Sequence, residues 1–159
     1  MLILVEITSF AVDPSRNAPL LLLKECGGER TLPVPLGPVE ASAIAIKSLN
    51  VKTDKPLTID LVRAAVESLG AYLDRVVIYD YGNDTYSTRL HIVNNRNVSI
   101  IDCSASDGIS LAMRCNAPVF VEEQVFGKKN GGDGLSDAEI LRKNIRDTDT
   151  VNFGTYYLE

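Results

Sequence analysis

The chain has 159 residues, of which 45% are hydrophobic and 23% charged, a composition typical of one soluble globular domain. Its net charge of −5 excludes binding of nucleic acid by overall charge alone, since a local basic patch or a bridging metal would have to overcome the repulsion. Three widely spaced cysteines without a CxxC pair predict reduced thiols in a cytoplasmic protein. No apolar run approaches the roughly 18 residues of a membrane span, so no membrane association is expected.

An antiparallel meander is predicted at the start of the chain. Apolar and β-branched runs bounded by turn residues predict three strands, at residues 2–12, 20–25 and 30–36. Pro33 and Pro35 lie two positions apart, so their missing N–H groups face the same side of the third strand. That side cannot form ladder hydrogen bonds, which predicts an edge of the sheet.

Two helices are predicted next. Gly37-Pro38 opens the first, because proline at the first helical position loses no needed donor. Thr58 is predicted to be the N-cap of the second helix. The second helix carries an apolar stripe typical of packing on a core, at Leu61, Val62, Ala65, Val66 and Leu69.

A second meander follows, with a third helix and a last strand. The predicted strands lie at 72–81, 86–93 and 98–102, the helix at 106–115 and the last strand in PVFVEE. Because strands come in runs and do not alternate with helices, we predict an α+β fold. Its two antiparallel β-meanders would join in a mixed sheet packed by about three helices.

The C-terminal part reads as an appendage to the domain at residues 1–126. The glycine-rich stretch GKKNGGDG begins a linker and tail at 127–159. Within the tail, Ser136 and Glu139 have capping-box spacing, which predicts a further helix over Asp137 to Arg146.

Four carboxylates near helix starts are the candidate catalytic residues. Glu40 lies in the first turn of the first helix, Asp60 follows the Thr58 cap, and Asp107 follows a predicted Ser106 cap. Asp102 ends the strand before the third helix. If the three helix starts gather at one end of the sheet, these carboxylates converge. Asp60, Asp102 and Asp107 would then bind Mg²⁺ or Mn²⁺ and orient a water against a phosphodiester.

A structural reading of the same residues stays open. Asp and Glu in the first turn of a helix favourably meet its dipole, worth about 0.3–1 kcal/mol each. Asp102 has no helix to cap directly and needs a partner, which Arg114, Arg63 or a metal would supply.

Beyond these patterns, the order of segments resembles the bifunctional nuclease domain family from about residue 3 to 126. The resemblance rests on LLLLKECGGERTLPVPLG, VEASAIA, KPLTIDLVRAAVESLGA, VVIYDYGNDTYSTRL and IDCSASDGISLAMRCNAPVFV, in this order and with compatible gaps. It implies a compact α+β domain, commonly oligomeric, with members that degrade both DNA and RNA. The family's recurrent polar positions fall here on Glu40, Thr58, Asp60, Asp102, Ser106 and Asp107, and Ser106, Thr58 and Arg114 are predicted to bind substrate.

Two departures from the family pattern bear on activity. The family usually has Arg-Pro where this chain has Ser104-Ala105, and a histidine where this chain has Ile59. An arginine there would be a natural phosphate clamp, and a histidine a natural acid, base or ligand.

Two functional hypotheses follow from these features. The first is a metal-dependent nuclease that hydrolyses DNA or RNA with Glu40, Asp60, Asp102 and Asp107. The second is a non-catalytic oligomeric interaction module in which the same residues cap helices. A homo-oligomer, a dimer in particular, is predicted from the small-residue face of the first helix with Ile44 and Ile46 and from the proline-blunted edge strand.

Overall fold

A computed structural model of the chain describes residues 1–13 and 16–129. The strands are β1 (Leu2–Asp13), β2 (Ala18–Glu25), β3 (Thr31–Pro35), β4 (Ala71–Gly82), β5 (Thr85–Asn94), β6 (Asn97–Cys103) and β7 (Val119–Glu122). The helices are α1 (Pro38–Ser48), α2 (Thr58–Ser68), α3 (Ala105–Cys115) and α4 (Glu123–Lys129). The predicted tail helix at 137–146 lies outside the described residues.

All seven described strands form one mixed sheet in the order β3-β2-β1-β7-β4-β5-β6. β1 to β3 and β4 to β6 are two antiparallel meanders. β7 joins them, because it pairs antiparallel with β1 and parallel with β4. The predicted α+β fold is therefore confirmed, and β3 with its two prolines is an edge of the sheet as predicted.

One face of the sheet packs against α3, and α1 and α2 pack against α3 in turn. The helix and the sheet approach closely at Gly108 of α3, where a Cβ would lie 3.1 Å from methyl groups of both Val76 and Thr88. The same position lies 3.3 Å from Cys103 Sγ, so Cys103 faces the helices. Asp102 therefore points to the opposite face, since side chains alternate along a strand.

The N-cap of α2 differs from the sequence prediction by one residue, and that of α3 by two. Leu57 occupies the N-cap position of α2, and Thr58 is its first helical residue. Asp60 Oδ2 accepts the Leu57 N–H at 2.9 Å, so the capping hydrogen bond comes from inside the helix. Ser104, and not Ser106, caps α3, because its Oγ accepts the Asp107 N–H at 3.1 Å.

The two helix faces that the sequence analysis singled out are not where it expected them. The apolar stripe of α2 is mostly exposed, with Leu61 at 55% and Leu69 at 75%. Ile44 of α1 is fully buried in the core, so it is not available to a partner. Among the described residues, no helix is long and apolar enough to cross a lipid bilayer.

Candidate functional site

A cavity of about 740 Å³ opens where α1, α2 and α3 begin. Pro38, Val39 and Glu40 line it from the first turn of α1, and Leu57, Thr58 and Ile59 from the start of α2. From α3 come Asp107, Ser110 and Leu111. The three helix starts thus gather at one place, the condition under which the sequence predicted a site.

Because three helix starts meet at the cavity, its local electrostatic potential is not described by the net charge of −5 of the chain. Each helix start carries a partial positive charge, equivalent to roughly half an elementary charge, from its unpaired N–H groups. Such a start binds anions such as phosphate. Most of the remaining wall is apolar, with Ile46 of α1, Val62 of α2 and Leu90 of β5. The cavity therefore combines the partial positive charge of the helix starts with the carboxylates of Glu40 and Asp107 and an apolar surface.

Asp107 is held in a network of hydroxyl groups at the start of α3. Ser104 Oγ donates to Asp107 Oδ2 at 2.8 Å and lies 3.1 Å from Ser106 Oγ. Ser104 is thus both the cap of the helix and the group that orients the carboxylate. Ser106, a predicted substrate-binding residue, contributes to the same network.

Glu40 lines the cavity from the first turn of α1. Its carboxylate lies against the Cα of Gly37, where a side chain would collide with it. The cavity therefore brings together two of the four predicted catalytic carboxylates, Glu40 and Asp107, and the predicted substrate-binding residue Thr58.

Asp60 is placed at the start of α2 but is engaged by Arg114. Arg114 Nε donates to Asp60 Oδ1 at 2.7 Å, while Asp60 Oδ2 accepts from Leu57 N–H. Burial raises the pKa of Asp60, but the Leu57 hydrogen bond and the Arg114 guanidinium outweigh it and hold the pKa below its ordinary value. Both carboxylate oxygens have a protein partner.

Arg114 ties three helices together below the cavity. Only 3% of its side chain is exposed. Besides Asp60 of α2, its guanidinium donates to Ala43 O of α1 at 3.0 Å and to the carbonyl and hydroxyl oxygens of Ser110 at 3.2 and 3.0 Å. These contacts give Arg114, a predicted substrate-binding residue, the geometry of a group that positions the cavity walls.

Asp102 lies apart from the cavity, on the sheet face away from α3. It pairs with Arg89 across β5 and β6, with Arg89 Nε 3.2 Å from its Oδ1, and Tyr79 Oη donates to the same oxygen at 3.3 Å. Arg89 also stacks on the Tyr79 ring at 3.8 Å from the centroid. The partner that Asp102 needs is therefore Arg89, and not Arg114 or Arg63.

The predicted metal ligands do not form a metal site among the described residues. Within residues 1–13 and 16–129, no three His, Cys, Asp or Glu side chains lie close enough together to hold a metal ion. The physical reason is that Asp102 lies on the other face of the sheet with Arg89, while both carboxylate oxygens of Asp60 are engaged by Leu57 and Arg114. These carboxylates do not fit the Mg²⁺ or Mn²⁺ site that the sequence analysis predicted for them.

Some residues around the cavity were missed or undervalued from the sequence. Ser104 stands three residues before Asp107, the spacing of a capping box, and that spacing was the available signal. Ser110 stands one helical turn before Arg114, the spacing at which two side chains meet. Ile59 and Ser104, where the family resemblance leads one to expect histidine and arginine, both lie at this end of the molecule: Ile59 lines the cavity and Ser104 contacts Asp107.

Comparison with known proteins agrees with the resemblance. The model of the bifunctional nuclease domain matches residues 21–131. Two uncharacterized proteins of Mycobacterium tuberculosis are each 36% identical over 124 residues, which cover 78% of this chain and 74% of theirs. Bifunctional nuclease 1 of Oryza sativa subsp. indica is 23% identical over 116 residues, 71% of this chain and 35% of the rice protein. Because the family model matches more than half of the chain, the chain belongs to the bifunctional nuclease domain family.

Proposed function

We propose that this protein hydrolyses phosphodiester bonds of nucleic acid in the cavity at the starts of α1, α2 and α3. The observation that carries the proposal is the meeting of Glu40, Thr58 and Asp107 at that cavity, although they are far apart in sequence. Membership of a family named for its nuclease domain supplies the substrate class.

We assign the chemistry to the carboxylates of Glu40 and Asp107, which act directly on the attacking water. One carboxylate removes a proton from the water that attacks phosphorus, and the other accepts a hydrogen bond from that water and orients it. The oxygen released from the broken P–O bond takes its proton from solvent. Ser104 orients Asp107 for this work through its 2.8 Å hydrogen bond. The helix starts stabilise the negative charge of the phosphate, which offsets repulsion by the carboxylates. Since the described carboxylates do not fit a metal site, no step is routed through a metal ion.

Cleavage of a labelled single-stranded oligonucleotide tests the proposal. Wild type, Asp107→Asn and Glu40→Gln are purified identically and assayed in EDTA and with Mg²⁺ or Mn²⁺. General acid–base catalysis contributes about 10²–10⁴-fold, so each variant is expected to lose activity by about that factor. Amide side chains keep the size and shape of the carboxylates and one acceptor oxygen, so we expect both variants to fold.

Asp102→Asn is the discriminating variant in this assay. It removes a carboxylate on the opposite face of the sheet, paired with Arg89 and Tyr79. We expect it to cleave at the wild-type rate. Loss of activity in Asp102→Asn with full activity in Asp107→Asn would move the site to that face. Equal cleavage by all variants would identify a contaminating nuclease.

A non-catalytic interaction module is the second candidate, and one observation favours it. Asp60 accepts the N–H of Leu57 and pairs with Arg114, so at least this carboxylate has a structural role. Under this alternative the cavity binds an apolar or anionic ligand without turnover. Binding of the oligonucleotide without cleavage, in wild type and in Asp107→Asn alike, is its expected result.

A further inference from the structure

The outer edge of β6 is apolar, accessible and without a strand partner among the described residues. β6 ends the sheet, and its neighbour β5 covers one side only. Val98, Ile100 and Ile101 are exposed at 59%, 57% and 47%. An edge strand with exposed apolar side chains and free N–H and C=O groups is a template for another strand.

The two edges of the sheet are built differently. At the other edge, Pro33 and Pro35 of β3 carry no N–H groups, which prevents a strand from adding there. β6 carries no proline and no lysine, the usual means of protecting an edge. The contrast indicates that β6, unlike β3, can accept another strand at the edge of the sheet.

We propose that β6 pairs antiparallel with β6 of a second copy, so that the two sheets become one continuous sheet. In antiparallel pairing, residues directly opposite each other share a face of the sheet. A two-fold axis at Ser99 places Val98 of each copy opposite the partner's Ile100. On the same face, Val98 of β6 pairs with Val93 of β5, which pairs with Tyr72 of β4. The apolar surface therefore continues across three strands.

This register also pairs opposite charges. With the axis at Ser99, Arg96 in the turn before β6 stands opposite the partner's Asp102. Arg96 is exposed, and Asp102 has 74% of its side chain exposed although it contacts Arg89. An axis at Ile100 would instead set Val98 against the partner's Asp102, an apolar group against a charge. Charge and apolar complementarity therefore select a second copy and the Ser99 register.

Sedimentation equilibrium at micromolar concentration tests the pairing. We expect a dimer for wild type and a monomer for Ile100→Lys, whose two charges would face apolar side chains across the new ladder. Leu69→Lys is the matched control, since Leu69 is an exposed apolar residue at the C-cap of α2, and it is expected to remain dimeric. Monomeric wild type would overturn the proposal. Dissociation by Leu69→Lys and not by Ile100→Lys would also overturn it, by moving the interface to α2.

Oxidative cross-linking tests the register. In a Cys26→Ser background, Ser99→Cys is expected to form a disulfide-linked dimer, because the two cysteines lie opposite each other at the axis. Ile101→Cys, on the same face two residues further along, is the control and is expected to stay uncross-linked. Cross-linking of Ile101→Cys in place of Ser99→Cys would refute the Ser99 axis.

Discussion

Replacing Arg114 by methionine removes the group that joins the three helices around the cavity. The guanidinium contacts Asp60, Ser110 and Ala43 from a side chain that is 3% exposed. Methionine is unbranched and can follow the path of the arginine stem, so it fills part of the same space and limits the cavity left behind. The expected loss of stability therefore comes mainly from polar groups left without a partner.

The magnitude follows from what each partner loses. Breaking a buried ion pair by removing one member costs about 3–5 kcal/mol. Because 36% of the Asp60 side chain is exposed, water replaces part of its lost partner, which lowers the figure. Ala43 O and the oxygens of Ser110 lose hydrogen bonds whose net value is about 0.5–1.5 kcal/mol each. We expect Arg114→Met to reduce the free energy of unfolding by about 3 kcal/mol.

Urea denaturation followed by circular dichroism measures this loss. With an m-value of about 1–3 kcal/mol/M, the midpoint should fall by about 1–3 M. Arg63→Met is the matched control, since Arg63 pairs with Glu67 on the exposed surface of α2. Its cost is expected to stay below about 0.5 kcal/mol. A loss below about 1 kcal/mol for Arg114→Met, or equal losses in both variants, would refute the positioning role.

Three further predictions concern other parts of the structure. Gly108→Ala should lower stability by about 1 kcal/mol in the same urea assay, because the new methyl group meets buried Val76 and Thr88 at 3.1 Å. The better helix propensity of alanine does not compensate for this crowding, and an increase in stability would contradict the packing. The depressed pKa of Asp60 stabilises the fold above the unfolded-state pKa of aspartate, about 3.9, and this stabilisation is lost as the pH falls through the lower folded-state pKa. The stability gap between wild type and Asp60→Asn should therefore close as the pH is lowered through this range, and a gap independent of pH would contradict it. Burial, with the charges of Asp107 and Asp102, raises the pKa of the Cys103 thiol to about 11. Iodoacetamide at about pH 8 should therefore label exposed Cys26 well before Cys103, and peptide mass mapping measures the order of labelling.

Much of the fold could be predicted because local sequence patterns mark most of its strands and helices. Both meanders, the proline at the start of α1 and the blunted β3 edge are local features, and all are present. The α3 cap was misplaced by two residues because Ser104 and Ser106 both offer a hydroxyl group. The α2 cap was misplaced by one residue because Asp60, inside the helix, supplies the capping hydrogen bond to Leu57.

The site could be predicted only in part, since it depends on contacts between distant elements. The insertion of β7 between β1 and β4 brings the two meanders together, and no local pattern reports it. The sequence predicted that the carboxylates converge only if the helix starts gather, and Glu40 and Asp107 do line one cavity. The separation of Asp102 depends on which face of β6 it occupies. The exposed stripe of α2 and the open edge of β6 likewise depend on tertiary packing.

Amide chemical-shift mapping with a non-hydrolysable single-stranded oligonucleotide tests the central claim most directly. If nucleic acid binds in the cavity, the largest shifts fall at the starts of three helices, at Val39 and Glu40, Thr58 and Ile59, and Ser106 and Asp107. Shifts confined to β5 and β6 around Arg89 and Asp102, or no shifts at saturating oligonucleotide, would contradict the assignment of the cavity as the nuclease site.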